Sequence, residues 1–254
     1  MRSALLRVVL VTAAMISASL LHATEIKPSA SFLSPGLRAL QDDPSRHPGW
    51  LWVEQGEALW RALPASSKPS CAGCHGDLAS MKGVAARYPS VGADGKLVNL
   101  ELRIEACRTG QQDEKPLGYE SESLLSLTTA IALQSRGLPM SVRTDGAAAA
   151  FLAQGKALYA TRQGQLNLAC SQCHDDNAGR RLRGDTISNG LGTGYPAYRL
   201  EWNAVGSLHR RLRACSLGVR ATQFPLGSPD YLALELFLAD RARGLAIEAP
   251  GLRR

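Results

Sequence analysis

The chain opens with Arg2 and Arg7 ahead of an uncharged, mostly apolar run over residues 8–21, followed by the small residue Ala23 and then Glu25 and Lys27. This is the layout of a cleavable export signal, expected over residues 1–23. The alternative is an uncleaved anchor, but the run falls short of the roughly 20 apolar residues a span needs and is diluted by Thr12, Ser17 and Ser19. No later apolar stretch approaches that length, so no membrane span is expected after processing. Further along, apolar positions predict helices over residues 124–133 and 230–238, the second with a start signal at Ser228 and Pro229.

These segments belong to a repeat. Residues 55–60 (QGEALW) match residues 154–159 (QGKALY) at an offset of 99. Arg87-Tyr88-Pro89 then pairs with Gly194-Tyr195-Pro196 at an offset of 107, so the second copy holds eight extra residues, placed in the Gly-rich stretch 184–194. The correspondence continues through residues 103–107 (RIEAC) with 211–215 (RLRAC), and 136–138 (RGL) with 243–245 (RGL). A linker is expected around residues 141–146. The expected organisation is a signal over 1–23, a first unit over 24–143 and a second over 144–254.

With 45% hydrophobic and 20% charged residues in 254, the composition is that of an ordinary globular protein. The net charge is +7, and loss of Arg2 and Arg7 with the signal lowers it to +5. An excess this small favours anionic partners without calling for nucleic acid.

The chemistry lies in six cysteines. Cys71, Cys74 and His75 form one C-x-x-C-H motif, and Cys170, Cys173 and His174 form another, again 99 residues on. Two thiols on one helical turn can each add to a vinyl group of haem, which puts the adjoining His under the iron. The motifs therefore predict two covalently attached haem c groups, in a periplasmic location because such haem is attached after export. A shared zinc site or disulfides would account for neither the His that follows each pair nor the duplication. Gly56 and Gly155, each four residues before an aromatic, resemble the first helix of class I c-type cytochromes, where a small residue lets the closing helix cross. The expected fold is all-α: two tandem class I cytochrome c-like haem domains.

The distal ligand decides the chemistry, and candidates are few. After His174 there is no Met and no Lys, which leaves Cys215 and His209 for the second iron. For the first, Met81, Met140, Lys82, Lys96, Lys115 and Cys107 are available, with Met140 the strongest rival. The repeat partner of Met140 is Ile247, whereas that of Cys107 is Cys215, so a ligand role shared by Cys107 and Cys215 is the economical reading. A Cys107–Cys215 disulfide is the alternative, disfavoured because equivalent sites in tandem domains lie far apart. Thiolate ligation lowers the reduction potential of the iron.

Residues 188–190 (SNG), 194–202 (GYPAYRLEW) and 206–215 (GSLHRRLRAC) resemble the SoxA family, dihaem cytochrome subunits of the periplasmic sulfur-oxidising complex. The likeness covers roughly residues 54–245 and includes both haem motifs, so the chain is similar to the dihaem members. The resemblance implies pairing with the monohaem cytochrome SoxX and an L-cysteine S-thiosulfotransferase activity. In that reaction thiosulfate is joined oxidatively to a cysteine of the carrier SoxYZ, and two electrons pass to a downstream cytochrome c. It also implies that Cys215 is the reactive sulfur, carried as a persulfide, and that Arg211 binds substrate. One helical turn before Cys215, Arg211 is placed to hold an oxyanion. Arg103, its counterpart, suits a haem propionate. Arg210 and Arg213 could serve substrate or an acidic partner, Tyr195, Tyr198 and Trp202 are expected in haem-pocket packing, and His47 at the surface. A pure electron-transfer dihaem cytochrome is the alternative function, and a dihaem peroxidase a weaker one.

Overall fold

The computed structural model describes residues 25–254; the expected signal over 1–23 lies outside the described residues. Nine α-helices are present among the described residues: α1 (Pro35–Asp42), α2 (Trp50–Arg61), α3 (Cys71–His75), α4 (Leu100–Gln111), α5 (Glu122–Leu133), α6 (Ala149–Ala160), α7 (Cys170–His174), α8 (Leu208–Gly218) and α9 (Pro229–Arg241). Among them no helix is long and apolar enough to cross a membrane.

The repeat is visible in the caps. The Asn99 side chain accepts from Leu102 N at the start of α4, and Ser207 accepts from Arg210 N at the start of α8. Ser121 and Ser228 do the same for α5 and α9, the latter with Pro229 in the first turn. A side-chain oxygen satisfies an otherwise orphaned N–H at each start, worth about 1 kcal/mol relative to Ala.

Each half is built on one close helix crossing. α2 packs on α5 and α6 on α9. A Cβ at Gly56 would run into the Ser126 carbonyl, and one at Gly155 into that of Ala233. The glycines therefore let two backbones approach as the sequence predicted. Around these crossings lie two cores: Trp60, Leu100, Ile104, Leu124 and Leu127 in the first half, and Tyr159, Leu208, Leu234 and Leu238 in the second.

The all-α expectation holds only in part, because short strands fill the connections. β1 (Ser90–Val91) pairs with β2 (Leu97–Val98), β3 (Arg181–Leu182) with β4 (Asp185–Thr186), and β5 (Ala197–Arg199) lies between β6 (Ala204–Gly206) and β7 (Gly251–Arg253). The central sheet recruits a strand from the C-terminus, a long-range pairing that local periodicity does not reveal.

The halves share a third core. Met140, Val142 and Ala148 pack with Leu232, Leu236, Ile247 and Ala249. The segments after α5 and α9 join through their backbones, with Gly137 N donating to Ile247 O and Met140 N to Leu245 O, both at 2.9 Å. The N-terminal segment crosses to the second half, where Ala30 N donates to Glu248 Oε1 and the Gln41 side chain accepts from Leu252 N, each at 3.0 Å.

Candidate functional site

Both haem-motif helices are single turns anchored by the large aromatic of the preceding helix. In the first half Trp60 donates from Nε1 to Gly76 O at 3.0 Å, and its ring lies 5.8 Å from that of His75. In the second, the Tyr159 hydroxyl donates to Asp175 Oδ1 at 2.8 Å, and Arg241 of α9 reaches the same oxygen while its guanidinium lies 4.7 Å from the Tyr159 ring centre.

The first site is a cavity of about 800 Å³. Cys71, Cys74 and His75 line it on one side and Arg103 and Cys107 of α4 on another, with Trp60, Met81 and Arg87 also on its wall. Met140, Lys82, Lys96 and Lys115 are not among its lining residues. Met140 is instead buried in the shared core beside its repeat partner Ile247. Two thiols, an imidazole, a facing thiol and a cavity of this size fit a covalently held haem.

The second site is more enclosed. The His174 ring donates from Nδ1 to the Ser188 carbonyl at 2.7 Å, which fixes the plane of the ring. Gly190, with φ of +71°, packs against that ring; a Cβ there would lie 2.8 Å from His174 Cγ. Both residues come from the expanded stretch 184–194, which begins within the β3–β4 hairpin. Cys215 lies across from this imidazole, within hydrogen-bond reach of it. Burial pushes its thiol up, but the Arg211 guanidinium, the His174 contact and the charge of Arg199 outweigh that and bring it down to about 7. Burial and the nearby Cys215 push the Cys170 thiol up to about 11. The closeness of His174, Cys215 and the two motif thiols fits an iron-bearing group held here as well. All six cysteines are free, so Cys107 and Cys215 are not bridged.

The basic cluster separates by role. Arg213 Nε donates to Gln223 at 2.9 Å, and the Arg210 guanidinium lies 4.3 Å over Trp202 and 3.8 Å from Glu120. Arg211 makes no ion pair among the described residues, and the Cys215 thiolate is the main influence raising its pKa. Two expectations from the sequence are corrected, for His47 and Tyr198, and the alternative distal candidate His209 is set aside. His47 is not at the surface but 2% exposed, because its Nδ1 accepts from Gly49 N at 3.0 Å and its ring packs beside Trp50. Tyr198 meets Trp52 edge-on at 5.9 Å, in a cluster with Leu125 and Leu252 and away from the haem motif. His209 is fully buried, with Nε2 2.9 Å from Glu235 Oε2, Nδ1 accepting from Gly227 N and the ring stacked on Tyr119. Its Nδ1 is hydrogen-bonded and its Nε2 lies against the Glu235 carboxylate, which leaves Cys215 as the distal candidate.

The sequence reading missed the buried seam to which His209 belongs. Asn99 donates to Tyr119 Oη at 2.7 Å and to Glu235 Oε2 at 3.0 Å, and Glu101 lies beside them. Burial, then the charges of Glu235 and Glu120, push the Glu101 carboxyl up to about 8. No local motif marks this group, since its members come from α4, α8, α9 and the turn before α5.

The SoxA/TsdA cytochrome c domain family matches the chain over residues 55–140 and again over 154–247. The L-cysteine S-thiosulfotransferase subunit SoxA of Pseudaminobacter salicylatoxidans is 39% identical over 85% of this chain and 77% of its own length. The protein of that name from Rhodovulum sulfidophilum is 36% identical over 90% and 80%. Among solved structures, SoxXA from P. pantotrophus aligns with a TM-score of 0.87 at 36% identity, covering 90% of this chain and 87% of that one. A family that covers both haem motifs, both facing cysteines and both closing helices leaves one assignment: the chain belongs to the SoxA/TsdA cytochrome c domain family, whose domain carries covalent haem c.

Proposed function

We propose that this chain is the dihaem SoxA-type subunit of a periplasmic L-cysteine S-thiosulfotransferase, working as a heterodimer with a SoxX-type monohaem cytochrome. Its two haem units span residues 24–143 and 144–254. Cys71, Cys74, His75 and Cys107 would hold one haem, and Cys170, Cys173, His174 and Cys215 the other. The observation that carries this reading is the meeting of Cys215, His174 and an unpaired Arg211 at one site. An electron carrier requires neither a modifiable thiolate nor an anion clamp.

The reaction joins the thiol of a SoxYZ-type carrier to the outer sulfur of thiosulfate. One S–S bond forms, the thiol proton leaves, and two electrons pass on to cytochrome c. Bound haem supplies the one-electron acceptor chemistry beside the reacting sulfur. Cys215, carried as a persulfide, is the enzyme's reactive sulfur, and it is regenerated unchanged at the end of the turnover. Arg211 holds the sulfonate end of thiosulfate through its forked N–H groups. His174, fixed by the Ser188 carbonyl, keeps its Nε2 directed at Cys215.

The test is thiosulfate-dependent and carrier-dependent reduction of cytochrome c by the holoprotein with its partner subunit, with intact mass to count haems and added sulfur. Two haems, with turnover abolished by Cys215→Ala, are expected. Zero haems, or full turnover in Cys215→Ala, would overturn the reading.

A further inference from the structure

Arg199 lies in β5, the central strand of the three-stranded sheet, and is 5% exposed. Side chains alternate across a strand. Tyr198 faces Trp52, so Arg199 projects from the opposite face, and it lies close enough to Cys215 for its charge to stabilise the thiolate. Its Nε is buried without a hydrogen-bond partner. Its Nη2 has only Glu201, 3.4 Å away, whose side chain is 59% exposed. The guanidinium also lies 5.2 Å from the Trp202 ring centre, a contact that orients its plane but leaves the Nε donor unfilled.

A buried guanidinium with an unfilled donor has lost water without replacing it. The other arginines nearby are differently placed: Arg210 is committed to Trp202 and Glu120, and Arg213 to Gln223. Among the described residues, Arg199 and Arg211 are the arginines whose charges act most on the Cys215 thiolate. In the first half the Tyr-Pro register puts Gly92, which carries no side chain, where the second half has Arg199.

We infer that Arg199 is a second anion-binding arginine of the Cys215 site, gripping the sulfonate of thiosulfate together with Arg211. This inference rests on the proposed thiosulfate reading. A sulfonate offers three acceptor oxygens, enough for two guanidiniums approaching from β5 and α8, and two forks fix its orientation as well as its charge. The outer sulfur is thereby directed at Cys215. A monoanion with one acceptor oxygen satisfies only one of the two, so the pair sets a preference for oxyanions.

The test is calorimetric binding of thiosulfate to the oxidised holoprotein with its partner subunit, for wild type, Arg199→Gln and Arg199→Lys, beside optical and spin-resonance spectra. Loss of one charged contact should weaken binding by about tenfold or more in Arg199→Gln, with Arg199→Lys intermediate and the haem spectra unchanged. Thiosulfate affinity within twofold of wild type in Arg199→Gln would overturn the inference. So would a change in the haem signals without a change in affinity, which would make Arg199 a propionate clamp. If Arg199→Gln fails to fold, Arg199→Lys decides alone: weakened binding at unchanged spectra supports the inference, and wild-type affinity overturns it. Wild-type turnover on thiosulfate and carrier is measured separately. Its absence would remove the functional reading, while the binding comparison would still report on Arg199.

Discussion

Asn99 Nδ2 donates to Glu235 Oε2 at 3.0 Å, tying the cap of α4 in one half to the middle of α9 in the other. Asn99 is 1% exposed, and Glu101, Tyr119, Glu120 and His209 close around the same carboxylate. The seam between the haem-motif halves is therefore polar and sealed, and it carries more acidic groups than the interior can hold ionised.

Stability should accordingly fall with rising pH. With the Glu101 carboxyl raised from 4.5 to about 8 by burial and by Glu235 and Glu120, the folded state holds a proton that the unfolded chain has released. The contribution is full below about 4.5 and is lost as pH rises through about 8. Glu101→Gln should flatten this slope and raise Tm relative to wild type at pH 8–9. Thermal melts of both proteins from pH 5 to 9 would check it; parallel profiles would remove Glu101 as the source.

Cys107 and Met140 should separate cleanly. Cys107→Ala should change one set of low-spin ferric signals, because Cys107 lines the cavity that contains His75. Met140→Ala should leave the signals alone but lower stability by about 2–5 kcal/mol, as expected for emptying a buried site in the core that joins the halves. The reverse pattern in spin resonance would give the first iron to Met140.

The second haem site should respond to Gly190 and not to the side chain of Ser188. Gly190→Ala places a Cβ 2.8 Å from His174 Cγ on a backbone with φ of +71°, so it should perturb the spectrum of that haem. Ser188→Ala keeps the main-chain carbonyl that accepts from His174 Nδ1 and should leave potential and spectrum close to wild type. Redox titration of the two variants tests the pair.

The close crossings should tolerate no side chain. Gly56→Ala and Gly155→Ala each press a methyl into a facing carbonyl and should cost about 1–3 kcal/mol, read as reduced Tm and lower yield of holoprotein. Gly36→Ala, where a Cβ meets open space, serves as the control and should change Tm little.

Local features were legible from residue order alone. A C-x-x-C-H motif needs one helical turn to present two thiols and an imidazole, so both single-turn helices α3 and α7 could be read without a fold. The repeat added the glycine crossings at Gly56 and Gly155, because a Gly in an otherwise apolar helix marks a close neighbour. The closing helices α5 and α9 followed from apolar spacing and from Ser228 and Pro229. The strands β5, β6 and β7 did not, since the last pairs a C-terminal segment with residues more than fifty positions earlier.

Tertiary structure decided what lies opposite each imidazole and what surrounds it. Cys107 and Met140 were both available in sequence; the return of α4 over the first motif brings one to the cavity, and the packing of the post-α5 segment buries the other beside Ile247. His209 had the side chain of an iron ligand, but Glu235 and the Gly227 amide occupy its nitrogens. Arg199 stood unmarked among aromatic neighbours, and only its place in β5, on the face opposite Tyr198, buried it. The C-x-x-C-H turn is set within five consecutive residues, whereas the thiol that faces it, a buried carboxylate and a buried guanidinium depend on long-range chain closure that burial and hydrogen bonding across the whole molecule determine.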